Sequence, residues 1–180
     1  ALFRRAFSIQ STMAAKTIYE FKVKNAEGKE VSLGEKYKGK VVIIVNVASQ
    51  CGLTNSNYTQ LKELLDAYQT RGLEVAAFPC NQFGGQEPAC EIDIQAFIND
   101  KFKIEPDLYG KVDVNGDGAD PLWKWLKKEK GGTLFDAIKW NFTKFLVGRN
   151  GEIIQRYGPT TEPKTMIKDI EKALDEPAKL

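Results

Sequence analysis

Histidine is absent from the 180 residues of this chain, and its absence excludes several kinds of active site. A Ser-His-Asp triad or a Cys-His pair needs an imidazole base, so neither can operate here. The usual zinc and haem sites also depend on histidine ligands. Any nucleophile in this chain must therefore be activated by something other than a neighbouring imidazole.

Cysteine is scarce, since the chain has only Cys51, Cys80 and Cys90. Three cysteines cannot pair completely within one chain, and without a Cys-x-x-Cys motif a dithiol redox site is excluded. Three thiols are also too few for a four-cysteine metal site, so we predict no metal. This cysteine usage favours a reducing compartment with at least one free thiol.

Neither charge nor hydropathy is extreme in this chain. The formal net charge is +2, which is too small to argue for a nucleic-acid partner. No run approaches the roughly 18 consecutive apolar residues of a membrane span. The length of 180 residues predicts one domain with a substantial core.

The first 19 residues contain Arg4, Arg5 and Lys16 but no acidic residue. That composition is typical of a mitochondrial presequence, and a disordered tail is the alternative. We therefore divide the chain into an N-terminal extension over residues 1–16 and one domain over residues 17–180. The predicted compartment is cytoplasmic, mitochondrial or both.

Hydrophobic periodicity and turn residues predict the order of the secondary structure elements. The predicted elements are a hairpin (18–23 with 31–33), a strand (41–48), a helix (57–70), a strand (73–78), a helix (90–101), a short helix (122–128), a second hairpin (139–147 with 152–157) and a final helix (161–175). Gly72 is placed to end the first long helix, and Asn150-Gly151 is a strong hairpin signal.

This order predicts an α/β, thioredoxin-like fold with an N-terminal β-hairpin extension. A strand, helix and strand followed by two antiparallel strands and a helix is the thioredoxin arrangement. The crossover helix and the final helix are expected to share one face of the sheet. The end of the first central strand then presents Cys51 to solvent.

Cys51 lies between the apolar strand 41–48 and the helix predicted after it. A helix N-terminus favours a thiolate over a thiol, and the thiolate is the nucleophilic form. The flanking residues Ser49, Gln50 and Gly52 are small or polar, which is unlike a packed core. The alternative is an inert buried cysteine, but this context favours a reactive one.

Three side chains are candidate hydrogen-bond donors to this sulfur: Gln86, Trp140 and Asn141. Gln86 lies on a glycine-rich loop after the second central strand, and neighbouring parallel strands end at the same edge of a sheet. Trp140 and Asn141 begin the later hairpin and offer an indole N–H and an amide. The alternatives are a core aromatic role for Trp140 and contacts with the loop backbone for Gln86.

Lysine is concentrated at Lys124, Lys127, Lys128 and Lys130. Such a cluster is typical of a solvated helix face. The alternative is contact with a membrane surface or an anionic substrate.

These residues and their flanking motifs resemble the glutathione peroxidase family, especially its short, phospholipid hydroperoxide type. The matching segments are Asn46-Val-Ala-Ser-Gln-Cys-Gly52, Phe78-Pro-Cys-Asn-Gln-Phe83, Gly85-Gln-Glu-Pro88, Lys139-Trp-Asn-Phe-Thr-Lys-Phe-Leu146 and Arg156-Tyr-Gly-Pro159. The resemblance implies a thioredoxin fold with a peroxidatic Cys51. It also implies that Gln86, Trp140 and Asn141 complete a tetrad around the sulfur. No cofactor is implied beyond glutathione or thioredoxin as the reducing co-substrate.

Two features of the resemblance bear on the reductant and the substrate. Thioredoxin-dependent members carry a resolving cysteine where this chain has Asn99, so Cys90 is the remaining candidate for that role. Phospholipid-type members place cations near the site, and Lys139 and Arg156 match that pattern as substrate-binding candidates. The position two after the nucleophile is Leu53 rather than lysine, which weakens the case for tight binding of lipid head groups or glutathione.

The predicted function is therefore a thiol-dependent peroxidase that reduces hydrogen peroxide and organic or phospholipid hydroperoxides through a Cys51 sulfenate. One alternative is a thioredoxin-dependent peroxidase that uses Cys90 as the resolving residue. The other is a non-catalytic redox relay module. We expect a monomer, with peripheral contact to membrane lipid hydroperoxides as a further possibility.

Overall fold

The computed structural model describes residues 14–179. Most of the predicted N-terminal extension therefore lies outside the described residues. The strands are β1 (Lys22–Lys24), β2 (Glu30–Ser32), β3 (Val41–Val47), β4 (Leu73–Pro79), β5 (Asp107–Leu108), β6 (Lys144–Val147) and β7 (Ile153–Tyr157). The α-helices are α1 (Leu33–Tyr37), α2 (Thr54–Tyr68), α3 (Glu91–Phe102), α4 (Pro121–Glu129) and α5 (Ile167–Asp175).

Five of the strands form one sheet in the order β5-β4-β3-β6-β7. β3 pairs in parallel with β4 and antiparallel with β6, while β1 and β2 form a separate hairpin. The parallel pair is joined by α2 and the antiparallel pair β6–β7 by a short turn, as the sequence predicts. The fold is thus the predicted α/β arrangement with an N-terminal hairpin.

The central strand β3 is buried along its whole length because helices cover both faces of the sheet. Val41, Ile43 and Val45 pack on one face with residues of α2, α3 and α5. Val42 and Ile44 pack on the other face with α1, α4 and the hairpin. Side chains alternate between the faces of a strand, so one apolar run supplies both layers. The predicted sharing of one layer by α2 and α5 is confirmed.

The prediction for the N-terminal hairpin needs a correction at both ends. Residues Ile18–Glu20 form a 3₁₀ turn rather than a strand, and a capping box between Thr17 and Glu20 stabilises it. After β2, Ser32 caps the five-residue helix α1, which periodicity does not reveal because it is so short.

Within the described residues, no helix combines the length and apolar character that crossing a bilayer requires.

The predicted strand 139–147 is wrong over its first five residues. β6 begins only at Lys144, and the preceding residues form a turn. Phe142 has a φ of 64°, in the left-handed region that an extended strand cannot contain. Trp140 and Asn141 therefore lie on a turn that leads into the strand.

Candidate active site

Cys51 lies in the loop between β3 and α2, where its surroundings supply donors from the backbone. Its Sγ accepts the backbone N–H of Leu53 at 3.4 Å, and Leu53 is the N-cap residue of α2. The Cys51 N–H donates to the Thr54 hydroxyl at 3.2 Å, and that hydroxyl donates to Ala48 O at 2.7 Å. Cys51 is half-buried as a residue. The sulfur therefore accepts a hydrogen bond at the N-terminus of a fifteen-residue helix, where backbone N–H groups lack partners within the helix.

Gln86 lies in the loop after β4 and is brought beside the Cys51 loop by the parallel pairing of β3 with β4. The Gln50 N–H donates to the Gln86 carbonyl oxygen at 3.0 Å, which joins the two loops directly. Gly84 and Gly85 both have positive φ, so the loop makes a turn that other residues rarely adopt. The predicted approach of the Gln86 loop to the Cys51 loop is thus observed in the backbone.

Trp140 and Asn141 are held by Asn46, a buried residue of β3 that sequence reasoning missed. Asn46 Nδ2 donates to Trp140 O at 3.1 Å, and its Oδ1 accepts the Thr143 N–H at 3.0 Å. Its backbone oxygen accepts the Phe142 N–H at 2.7 Å. Three hydrogen bonds from one residue thus fix the turn that contains the left-handed Phe142. The sequence feature that could have identified Asn46 is that it is the one amide side chain in an otherwise apolar strand.

Asn141 contacts Gln86 directly and fixes the orientation of its side chain. Asn141 is fully buried, and its Nδ2 donates to Gln86 Oε1 at 2.9 Å. Because the oxygen of the Gln86 amide is occupied in this way, its Nε2 points the other way with both hydrogens as donors. The structure therefore brings Gln86 and Asn141 together, with Asn141 as the donor and Gln86 as the acceptor.

The Trp140 ring lies beside this amide pair and remains partly accessible. Its side chain is 39% exposed, and its ring centroid lies 5.6 Å from that of Phe83. A Cβ atom on Gly84 would lie 3.5 Å from both the Trp140 ring and Gln86. The indole is thus packed against the Gln86 loop rather than in the core, which favours a site role over the core alternative.

The two predicted cations occupy different situations. Lys139 is exposed, while Arg156 is half-buried and binds the loop 130–137. The Arg156 guanidinium donates to Asp136 O at 2.7 Å and to Ala137 O at 2.8 Å. Burial lowers the pKa of Arg156, and the carboxylate of Asp136 opposes that shift. Arg156 therefore shapes the loop, whereas Lys139 is exposed to solvent.

Lys139 and Arg156 line a cavity of about 90 Å³ together with Thr143 and Gly158. That volume is well below the several hundred Å³ of a site that encloses a drug-sized ligand. A larger groove of about 610 Å³ lies between β1 and Lys111, and none of the predicted site residues lines it. The cavity beside Lys139 and Arg156 is thus too small to enclose a whole peptide or lipid.

The three cysteines are free thiols in three different environments. Cys80 is fully buried after β4, and burial raises the pKa of its thiol. Cys90 is exposed at the N-cap of α3. Asn99 lies within α3, so the position that carries the resolving cysteine in thioredoxin-dependent members is helical here. Cys51 alone combines partial exposure with a backbone donor to its sulfur.

The arrangement can support nucleophilic chemistry at a sulfur atom. A cysteine sulfur at a helix N-terminus, an oriented amide donor and an accessible indole together suit attack on a polarised bond and stabilisation of the charge that develops. This chemistry needs no imidazole, consistent with a chain that contains no histidine.

Comparison with known proteins agrees with this geometry. The family model described as glutathione peroxidase matches residues 18–127. "Glutathione peroxidase 1" of Caenorhabditis elegans is 72% identical over 160 residues, which cover 89% of this chain and 98% of that protein. A "probable phospholipid hydroperoxide glutathione peroxidase" of Solanum lycopersicum is 57% identical over 163 residues, covering 91% of this chain and 96% of that protein.

A solved structure shows the same fold. The crystal structure of Trgpx in its apo form is 42% identical and superposes with a TM-score of 0.77, covering 92% of this chain and 100% of that one. The predicted thioredoxin-like fold and the predicted resemblance are therefore confirmed. Named peroxidases at this identity over most of the chain favour an enzyme over a non-catalytic relay. The chain belongs to the glutathione peroxidase family and is a peroxidase.

Proposed function

We propose that Cys51 is the peroxidatic residue and that it reduces hydroperoxides through a sulfenic acid. The observation that carries this proposal is the Leu53 N–H donated to Cys51 Sγ at the start of α2. The thiolate attacks the distal oxygen of the peroxide, the O–O bond breaks, and the sulfur becomes Cys51–SOH. The leaving oxygen takes the electron pair of that bond and a proton, and departs as water or an alcohol.

Gln86, Trp140 and Asn141 stabilise the charges of this step. Asn141 turns the Gln86 amide so that its NH₂ group is free to donate. The Trp140 indole offers a further donor at the accessible edge of the site. A donor to a charged atom contributes roughly 1.5–3 kcal/mol, so Gln86, oriented by Asn141, and Trp140 together account for a substantial lowering of the barrier.

An external thiol such as glutathione completes the cycle in our proposal. Its sulfur attacks Cys51–SOH, releases water and forms a mixed disulfide. A second thiol then attacks this disulfide and returns Cys51 to its reduced state. Lys139 beside the cavity of about 90 Å³ supports binding of one carboxylate of such a thiol.

Thioredoxin with Cys90 as resolving residue is the second candidate, favoured by the exposure of Cys90. In that case Cys90 attacks the sulfenic acid, and thioredoxin reduces the resulting intramolecular disulfide. Steady-state turnover with each reductant, in wild type and in Cys90→Ser, separates the two. We expect Cys90→Ser to keep its turnover with glutathione. Loss of turnover with thioredoxin alone would assign the resolving role to Cys90, whereas turnover with thioredoxin that survives Cys90→Ser would exclude that role.

We also propose peripheral contact with lipid surfaces as the route to phospholipid hydroperoxides. Leu134 is 78% exposed and Phe135 70% exposed, both on the loop that Arg156 binds. Apolar side chains flanked by lysines, including Lys139 and the cluster on and after α4, suit an interface with anionic lipid.

Vesicle co-sedimentation tests this surface. The double variant Leu134→Ser, Phe135→Ser should lose binding to vesicles of phosphatidylcholine and phosphatidylserine while its rate with hydrogen peroxide is unchanged. Equal binding by the variant and the wild type would remove the loop from the proposal.

The monomeric state and the compartment are proposals of the same kind. We infer a monomer, which sedimentation velocity at micromolar concentration tests. We infer a cytoplasmic or mitochondrial location, or both, from the acid-free basic N-terminus. Import of the chain into isolated mitochondria, with and without residues 1–16, tests the second inference.

The most direct test of Cys51 is mass spectrometry after one equivalent of hydrogen peroxide. We expect one added oxygen on Cys51, or a Cys51–glutathione disulfide when glutathione is present. Oxidation confined to Cys80 or Cys90 would contradict the proposal.

A further inference from the structure

Glu87 is a fully buried acid beside the loop that carries Cys51, and the proposed peroxidase mechanism does not use it. Its Oε1 accepts the Ser49 backbone N–H at 3.0 Å. Its own N–H donates to Asn81 Oδ1 at 2.9 Å. A glutamate is rarely buried completely unless it is paired, because loss of water opposes its charge. Glu87 is thus unusual in being completely buried, and it contacts the loop that carries Cys51.

The surroundings of Glu87 disfavour its negative charge. Within the part of the chain that the structure describes, no salt bridge reaches it, and its Oε2 is buried without a hydrogen-bond partner. Burial raises the pKa of Glu87, while contacts with Ser49 and the charge of Lys111 oppose that shift. The other titratable groups facing it are Tyr58 on α2 and Cys80 after β4, and burial raises the pKa of both. Glu87 therefore contributes a hydrogen-bond acceptor to the Cys51 loop and does not contribute an ion pair.

The contact belongs to a pair that joins the two loops of the active site. The Ser49 N–H donates to the Glu87 side chain, and the next N–H along, that of Gln50, donates to the Gln86 carbonyl. Both donors immediately precede Cys51, and both acceptors lie at or immediately after Gln86. Two adjacent hydrogen bonds restrict rotation of one loop against the other, which a single bond does not.

We propose that Glu87 is a positioning residue, whose side-chain oxygen fixes the Ser49 amide and thereby sets the distance between Cys51 and Gln86. This inference rests on the proposed roles of Cys51 and Gln86 and assigns no proton or electron transfer to Glu87. This role requires a side chain of the right length that ends in an acceptor oxygen. Glutamine also supplies one, and alanine does not.

Asp120 provides a matched control. It is a half-buried acid whose pKa is raised by burial, and its Oδ1 accepts the Leu122 N–H at 2.9 Å. It caps α4 on the other face of the sheet, away from the Cys51 loop. The variants Glu87→Ala and Glu87→Gln are therefore compared with Asp120→Ala and Asp120→Asn.

The first measurement is the second-order rate constant for hydrogen peroxide in single turnover, per folded protein. We expect Glu87→Ala to lower it by roughly tenfold to a hundredfold, because small misplacements of reacting groups have effects of that size. Glu87→Gln should restore it to within about twofold of wild type. The Asp120 variants should keep the wild-type rate even where their melting temperature falls.

The second measurement is hydrogen exchange of the Ser49 and Gln50 amides, which does not depend on activity. Both should be protected in wild type and in Glu87→Gln and should exchange faster in Glu87→Ala. If Glu87→Ala does not fold, the rate and amide protection of Glu87→Gln decide, and loss of either overturns the proposal. An unchanged rate in folded Glu87→Ala overturns it as well. A wild type that does not react with peroxide would instead refute the proposed function. Amide exchange would still test the contact between Glu87 and the Ser49 N–H.

Discussion

Cys51 and Cys80 come after neighbouring parallel strands and reach the same edge of the sheet, yet their environments are opposite. The Cys80 N–H donates to Val47 O at 3.2 Å, so the two strand ends are in contact. Cys80 is fully buried, and its thiol donates to Gln82 Oε1 at 3.7 Å. Cys51 is half-buried, and its sulfur accepts a backbone N–H. The Cys80 thiol is thus enclosed in the core, whereas the Cys51 sulfur accepts a backbone N–H at a partly exposed position.

The two environments differ because of the segment of chain immediately C-terminal to each cysteine. After Cys51 the chain turns directly into α2, whose first N–H groups have no partner within the helix. After Cys80 it enters a long loop, and α3 begins only at Glu91. A similar position at the sheet edge therefore yields two chemically different thiols.

Serine at position 51 should give the largest effect. Cys51→Ser removes the nucleophile, so we expect peroxide consumption to fall at least about a thousandfold, as removal of an essential nucleophile does in other enzymes. Cys80→Ser should keep its peroxide rate and lose stability, because it buries a hydroxyl where a thiol was packed. Stopped-flow consumption of hydrogen peroxide measures the first effect and urea unfolding the second. A Cys80→Ser rate as low as that of Cys51→Ser would end the distinction between the two cysteines.

Aspartate at position 141 should have the next largest effect, because it reverses the Gln86 amide that we propose stabilises the charge at Cys51. The carboxylate of Asn141→Asp cannot donate to Gln86 Oε1, so the Gln86 amide should turn its NH₂ group towards position 141. Loss of one oriented donor from the site should lower the peroxide rate constant by up to about a hundredfold.

Asn25→Asp is the control for this substitution. Asn25 lies in the hairpin turn, where its Oδ1 accepts the N–H groups of Glu27 and Lys29, and an aspartate oxygen preserves both contacts. Its rate should equal that of wild type. The side-chain NMR signals of Gln86 report the rotation directly. Signals in Asn141→Asp that match wild type, together with a wild-type rate, would separate Asn141 from the mechanism.

Alanine at position 46 should have a smaller effect, because it loosens the turn without removing a donor. Asn46→Ala removes the contacts with Trp140 O and the Thr143 N–H, so we expect the peroxide rate to fall about tenfold. Stability should fall by about 1–3 kcal/mol, because buried backbone groups lose their partners. Acrylamide quenching reports the turn, since Trp123 and Trp125 are buried and Trp140 is exposed. Unaltered quenching with an unaltered rate would show that the turn holds without Asn46.

Periodicity and strand order made much of the fold predictable from the sequence, whereas contacts between distant polar groups were missed. The approach of the Gln86 loop to the Cys51 loop could be predicted, because neighbouring parallel strands end at one edge of the sheet. Asn46 and Trp140 are 94 residues apart, and Ser49 and Glu87 are 38 apart. No local pattern identifies which buried amide or carboxyl will meet which backbone group across such a separation.

The start of β6 was mispredicted for a related reason. Residues 139–143 alternate in a way that fits a strand, but Asn46 supplies a hydrogen-bond partner for a left-handed Phe142. The tertiary contact thus overrides the local preference for an extended chain. Both errors fall at the active site, where hydrogen bonds rather than apolar packing determine the backbone.

The pH dependence of stability should give the smallest effect and should belong to Cys80. Burial raises the pKa of its thiol above the ordinary value of 9.0, so in alkaline solution the unfolded chain releases this proton before the folded chain does. The contribution of Cys80 to stability is therefore complete below pH 9 and is lost as the pH rises through the folded value. Urea unfolding at pH 8 and pH 10 should show a larger alkaline loss in wild type than in Cys80→Ala. Equal losses in the two proteins would mean that Cys80 ionises as easily when folded as when unfolded. Burial would then not be what separates it from Cys51.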